Sequence, residues 1–161
     1  MLEVIKEQID SIEGSFRELS TMVNDAALVE NLAPKRIWGL CEERVGDLKE
    51  LLGGLRENLL ILDPGRSVTI TRSAQAAMDT FDTLKRVLTE ETDETEDPKI
   101  ITDRFTERSV PIYTYLNLAK GIVERPNPLI KEILLLRVKS IKSEIPDIFR
   151  RRFKKLSEDS S

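Results

Sequence analysis

Three sets of carboxylates have the type and spacing to do chemistry: Glu7 with Asp10, Asp79 with Asp82, and Glu42 with Glu43 and Asp47. On facing helices, such groups hold Mg²⁺ against a phosphate and so support hydrolysis. Few other chemistries are open. The chain has no histidine, which removes Ser-His and Cys-His nucleophile pairs, imidazole proton shuttles and every His-ligated metal site. Its one cysteine, Cys41, cannot form an internal disulfide. The acidic run Glu90 to Asp97 lacks the central glycine of a calcium loop and reads as a solvated loop. Gly53-Gly54 is not followed by the Lys-Ser/Thr of a phosphate-binding loop.

Whether the carboxylates converge depends on the helices that carry them. Apolar residues recur at alternating gaps of three and four through Leu2, Ile5, Ile9, Ile12, Phe16, Leu19 and Val23. A second series runs Trp38, Cys41, Val45, Leu48, Leu52, Leu55, Leu59, Leu62, and a third Ile70, Ala74, Ala77, Phe81, Leu84, Leu88. This heptad spacing places each series on one narrow helix face that packs against another helix. With the seam at positions a and d, Glu7, Asp79 and Glu43 fall at f, Asp10 and Asp82 at b, and Asp47 at c. Only Glu42, at e, flanks the seam. The carboxylates therefore point outward, and an Mg²⁺-dependent hydrolase is the least favoured reading. No catalytic residue, cofactor or metal site is expected. Cys41 falls on the seam, where a free cysteine acts as a small apolar residue.

Breaks in the periodicity divide the chain. Pro34 suits the first turn of a helix, and Asp63-Pro64-Gly65 makes a turn. Val68-Thr69-Ile70-Thr71 alternates like a strand but has no partner strand, so it reads as the start of the third helix. Asp97-Pro98 is a helix start, with Asp as N-cap and Pro at the first position. Pro111 should kink or split the helix that follows, because it removes a backbone hydrogen bond and clashes with the preceding turn. Arg125-Pro126-Asn127-Pro128 is a second stop. The expected fold is all-α: an antiparallel, coiled-coil-like helical bundle of about five main helices, roughly 1–23, 34–62, 67–90, 98–125 and 128–145. Residues 146–161 form a short basic amphipathic helix and a frayed tail after the bundle domain 1–145.

Charge divides between the halves. Residues 1–96 carry 11 Lys and Arg against 20 Asp and Glu, a net −9, and residues 97–161 carry 14 against 9, a net +5. Together they give the whole-chain −4. The late cations Lys139, Lys142, Arg150, Arg151, Arg152, Lys154 and Lys155 read first as the solvated face of amphipathic helices or as pairs with the acidic half across the bundle, and next as contacts for nucleic-acid phosphate or an acidic partner. Phe149 and Phe153, one helical turn apart, fit a core face better than a base-stacking platform. No apolar run approaches the roughly 20 residues that span a bilayer, and the start lacks the pattern of a signal peptide, so a soluble cytoplasmic protein is expected and membrane binding is not.

The second helix carries one further pattern. Gly39, Gly46 and Gly53 recur every seven residues at position b, with Leu40, Leu60 and Ile61 assigned to the same side. Each glycine costs about 1 kcal/mol relative to alanine in a helix interior. A line of three reads as a groove for close approach, filled by a later helix of the chain, by a partner or by a second copy. The composite expectation is a non-enzymatic scaffold or adaptor subunit that binds a partner protein or itself through helix faces. A nucleic-acid-associated accessory protein acting through Arg150 to Lys155 is the alternative.

Overall fold

A computed structural model of the chain describes residues 1–125; the expected helix 128–145 and the basic segment 146–161 lie outside them. The described residues are all-helical, with no strand among them. Helix α1 spans Leu2–Asn24 and widens into a π turn over Asp25–Val29. Helix α2 spans Pro34–Leu62, with Pro34 at its first position, where no N–H is needed. A 3₁₀ turn at Pro64–Arg66 leads into α3, Ser67–Arg86, which also ends in a π turn, Val87–Glu91. The Val68–Thr71 stretch is thus helical, its alternation overridden by the seam that begins at Ile70.

The stretch 98–125 is two helices: α4, Pro98–Arg108, and α5, Val110–Glu124. Asp97 caps α4, its carboxylate accepting the Lys99 N–H at 3.0 Å. The division falls at buried Ser109, whose hydroxyl donates to the Phe105 carbonyl at 2.6 Å. Pro111 then lies in the first turn of α5, where its missing N–H leaves no partner unmet.

Helix α1 packs on α2, α2 on α3, α3 on α5 and α5 on α1, which closes a ring; α4 lies against α1, α3 and both π turns. Directions follow from the paired side chains. Asn58 donates to Gln8 at 2.9 Å and Arg44 to Glu18, so α1 and α2 run antiparallel. The short connection after Leu62 and the pairing of Lys49 with Asp82 at 3.2 Å turn α3 back along α2. Lys120 pairs with Glu13, and the Tyr113 ring meets the edge of Phe16 at 5.5 Å, so α5 is antiparallel to α1.

Each residue of the three heptad series is buried, Leu2 through Val23, Trp38 through Leu62 and Ile70 through Leu88. They form one core with Ile101, Phe105, Ile112, Tyr115, Leu116, Ala119 and Ile122. Fully burying a Leu or Ile side chain contributes about 1.5–3 kcal/mol, so this seam, and not the glycine-containing helix propensity of α2, holds the fold. Phe16 sits at its centre, stacked on Phe105 at 6.1 Å.

Candidate functional site

The carboxylate sets do not converge. Glu7, Asp10, Glu42, Glu43, Asp47, Asp79 and Asp82 are all exposed. Asp82 is engaged by Lys49, Asp79 accepts from Gln75 at 2.8 Å, and Glu42 accepts from the Trp38 indole at 3.0 Å. No group of three or more His, Cys, Asp or Glu residues is arranged to hold a metal ion among the described residues. Cys41 is fully buried, and burial pushes its thiol up to about 11, against a smaller opposing effect of Arg44. A thiol in that state is not a nucleophile near neutral pH.

The outer face of α2 is open. A Cβ placed on Gly39, Gly46 or Gly53 would meet nothing within 4 Å among the described residues. Neither α4 nor α5 fills that line. The structure separates the glycines from Leu40. Arg44, Gly54 and Asn58, at positions g and c, face α1, whereas Lys49, at e, faces α3. Position b therefore looks outward on the α3 flank, and position c, with Leu40, lies on the α1 flank. Leu60 is half-buried against the core, and Ile61 is 64% exposed. The residues assigned to one side of the helix in fact divide between two.

Leu40, 50% exposed, lies in an open groove between α1 and α2, beside Met22 and Ala26. Arg17, Glu18, Asp25, Glu30 and Arg44 rim this groove, with Arg44 paired to Glu18. Its end is the π turn after α1, where Leu28 and Val29 are 55% and 78% exposed. A π turn widens the helix by one residue and shifts the phase of the side chains that follow. Ala26 and Ala27 stay buried here, while the apolar Leu28 and Val29 face outward.

The acidic run is held more firmly than a solvated loop. The guanidinium of Arg104 donates to the Glu91 carbonyl at 3.0 Å and the Thr92 hydroxyl at 3.1 Å, and lies 3.1 Å from the Glu96 carboxylate. Arg108 adds a looser pair with Glu91 at 3.8 Å. Thr92 is buried as a result. Glu90, Asp93 and Glu94 remain exposed, with no ion pair among the described residues.

A second open groove lies between α3 and α5, walled by Thr69, Ser73 and Ala76 on one side and Val110, Thr114 and Leu118 on the other. Arg72 is the one charged residue along it among the described residues. The rings of Phe16 and Trp38 are both in the core. Lys139, Lys142, Arg150, Arg151, Arg152, Lys154 and Lys155 lie outside the described residues. No helix among the described residues is long and apolar enough to cross a membrane.

No protein-family model, curated protein or solved structure matches this chain. The functional reading therefore rests on the geometry of its surfaces.

Proposed function

We propose that this chain is a non-enzymatic helical scaffold or adaptor subunit, an antiparallel, coiled-coil-like bundle that offers outer helix faces to a partner protein or to a second copy. The observation that carries this reading is the groove of Leu40, where an apolar side chain half-open to solvent is bordered by Met22, Ala26 and a charged rim. An apolar centre with a polar border is the anatomy of a protein-binding patch, and the charges set orientation more than affinity. The outward carboxylates, of which Glu42, Asp79 and Asp82 are each engaged by one neighbour, and the buried thiol favour binding over catalysis as the role of these helices. The glycine line of α2 gives a second surface on which a partner helix can approach closely.

The test is solution mass by light scattering across a concentration range, with capture of binding proteins run in parallel for the wild type and Leu40→Glu. Self-association or a captured partner that the variant loses, at unchanged melting temperature, supports the reading. Identical mass and identical captures for the two forms overturn the groove as the binding surface.

A further inference from the structure

The outer face of α3 is complementary to itself. Arg72, Ala76 and Asp79 are all exposed, and their spacing of four and then three residues sets them on one stripe of the helix. Arg72 has no hydrogen bond or ion pair among the described residues. Asp79 accepts from Gln75 at 2.8 Å, and its second oxygen has no partner among the described residues. The cation and the carboxylate lie about 10.5 Å apart along the axis, with Ala76 between them.

A second α3 laid on this stripe in the opposite direction brings Arg72 level with Asp79 of the second copy, and Asp79 level with its Arg72. Both pairs form about one two-fold axis, which passes between Gln75 and Ala76. A parallel second copy would set Arg72 against Arg72 and Asp79 against Asp79, like charges that oppose the contact. At the axis the small side chain of Ala76 lets the two backbones approach closely. Packed helices cross at an angle, so the ends of α3, where Arg66, Lys85 and Arg86 carry like charges, swing apart.

Helix α5 extends the same face. Its Val110, Thr114 and Leu118 wall the groove beside Thr69, Arg72 and Ala76. Because α5 runs antiparallel to α3, Val110 lies toward Ala76 and Leu118 toward Thr69. A face-to-face two-fold keeps α5 opposite α5, so Val110, 57% exposed, meets its own copy close to the axis. An apolar centre of Val110 and Ala76, flanked by two symmetric charge pairs, is the layout of an isologous interface. We infer that a second copy of this chain docks on the α3–α5 face, α3 antiparallel to α3, with Arg72 paired to Asp79 of the second copy on both sides of the axis. The inference rests on the reading of outer helix faces as binding surfaces, but not on the Leu40 groove.

Sedimentation equilibrium of the full chain over a concentration range tests the pairing, with far-UV helicity read on every variant. The wild type is expected to show a monomer–dimer equilibrium. Ala76→Glu sets two carboxylates at the axis and is expected to raise the dissociation constant about ten-fold or more. Arg72→Glu and Asp79→Arg each bring like charges together and should both weaken the dimer, although they move the net charge in opposite directions. Arg72→Glu combined with Asp79→Arg restores opposite charges across the axis and should return the dissociation constant to within about three-fold of the wild type. Should Ala76→Glu lose helicity, the three charge variants carry the test. The inference is overturned by a wild type that stays monomeric at every concentration, by a dimer that Ala76→Glu and both single charge variants leave unchanged, or by single losses that the double variant does not recover. A dimer lost in Leu40→Glu and kept in Ala76→Glu also overturns it and moves the second copy to the groove between α1 and α2. A monomeric wild type that still captures a partner through Leu40 overturns the second copy and leaves the adaptor role standing.

Discussion

The hydroxyl of Tyr115 in α5 donates to the backbone carbonyl of Leu52 in the middle of α2, at 3.2 Å, with both residues buried. The bond spans the ring of helices and gives a buried phenol the partner it needs. Tyr115→Phe keeps the ring and loses the bond, so the expected cost is about 0.5–1.5 kcal/mol. Tyr115→Ala also opens a cavity, and about 3–5 kcal/mol is expected. Urea unfolding of the two variants checks this; equal losses would mean that the bond, and not the ring, carries the contact.

Cys41 gives the fold a pH limit. Its folded-state thiol is raised to about 11 from 9.0, because burial disfavours the thiolate. The unfolded chain therefore loses its proton first as pH rises. Stability from this group is complete below about pH 9 and is lost as pH rises through about 11. Burial likewise raises the Tyr115 hydroxyl, more than Arg56 lowers it, so it acts in the same alkaline direction. Chemical denaturation between pH 8 and 11 should show a falling midpoint, and Cys41→Ala should flatten part of the fall. A thiol reagent at pH 8 should react at the rate of global or local opening and rapidly in denaturant.

The seam was readable from the sequence because a 3.5-residue period admits one buried side per helix. Glu7, Asp10, Asp79 and Asp82 had to lie opposite Ile5, Ile9, Ala77 and Phe81 once the phase was set. The limits of that argument are also physical. A heptad says which face of α2 is outward but not which neighbour stands on each flank, so Leu40 and Gly39 were placed together although α1 and α3 divide them. Two π turns, beginning at Asp25 and Val87, end the regular period; Leu88 still holds the seam, but the packing of the residues beyond is not set by the heptad. Tyr115 was missed because its partner lies 63 residues away, and only the packed ring brings the two together. Thr92 sits in an acidic run that reads as solvated, and its burial comes from Arg104, twelve residues on.

The glycine line makes opposite predictions for folding and for binding. Gly39 and Gly46 are exposed, in ordinary helical conformation, with open space where a Cβ would go. Gly39→Ala and Gly46→Ala should each stabilise the chain by about 0.5–1 kcal/mol, through helix propensity and a less flexible unfolded state. Thermal melting checks this. If a partner helix packs directly on the glycine line, Gly46→Leu should weaken association measured by light scattering while far-UV helicity is kept. Wild-type mass and an unchanged or raised melting temperature for Gly46→Leu would show that the line is solvent-facing surface and nothing more.

Arg104 is the clamp of the acidic run, and its chemistry predicts how it fails. One guanidinium reaches a carbonyl, a hydroxyl and a carboxylate on Glu91, Thr92 and Glu96. A lysine ammonium has the charge but not the planar fork that serves several acceptors at fixed angles. Arg104→Lys should therefore restore little of what Arg104→Ala loses. The loss itself should be local. The pair with Glu96 is partly exposed, so its contribution to global stability is small, whereas freeing Thr92 exposes a segment with few apolar contacts. The expected outcome is a melting temperature close to the wild type, with faster amide exchange and faster proteolysis confined to about residues 91–97. A large drop in global stability in Arg104→Ala would instead place this clamp within the cooperative core and make the packing of α4 depend on it.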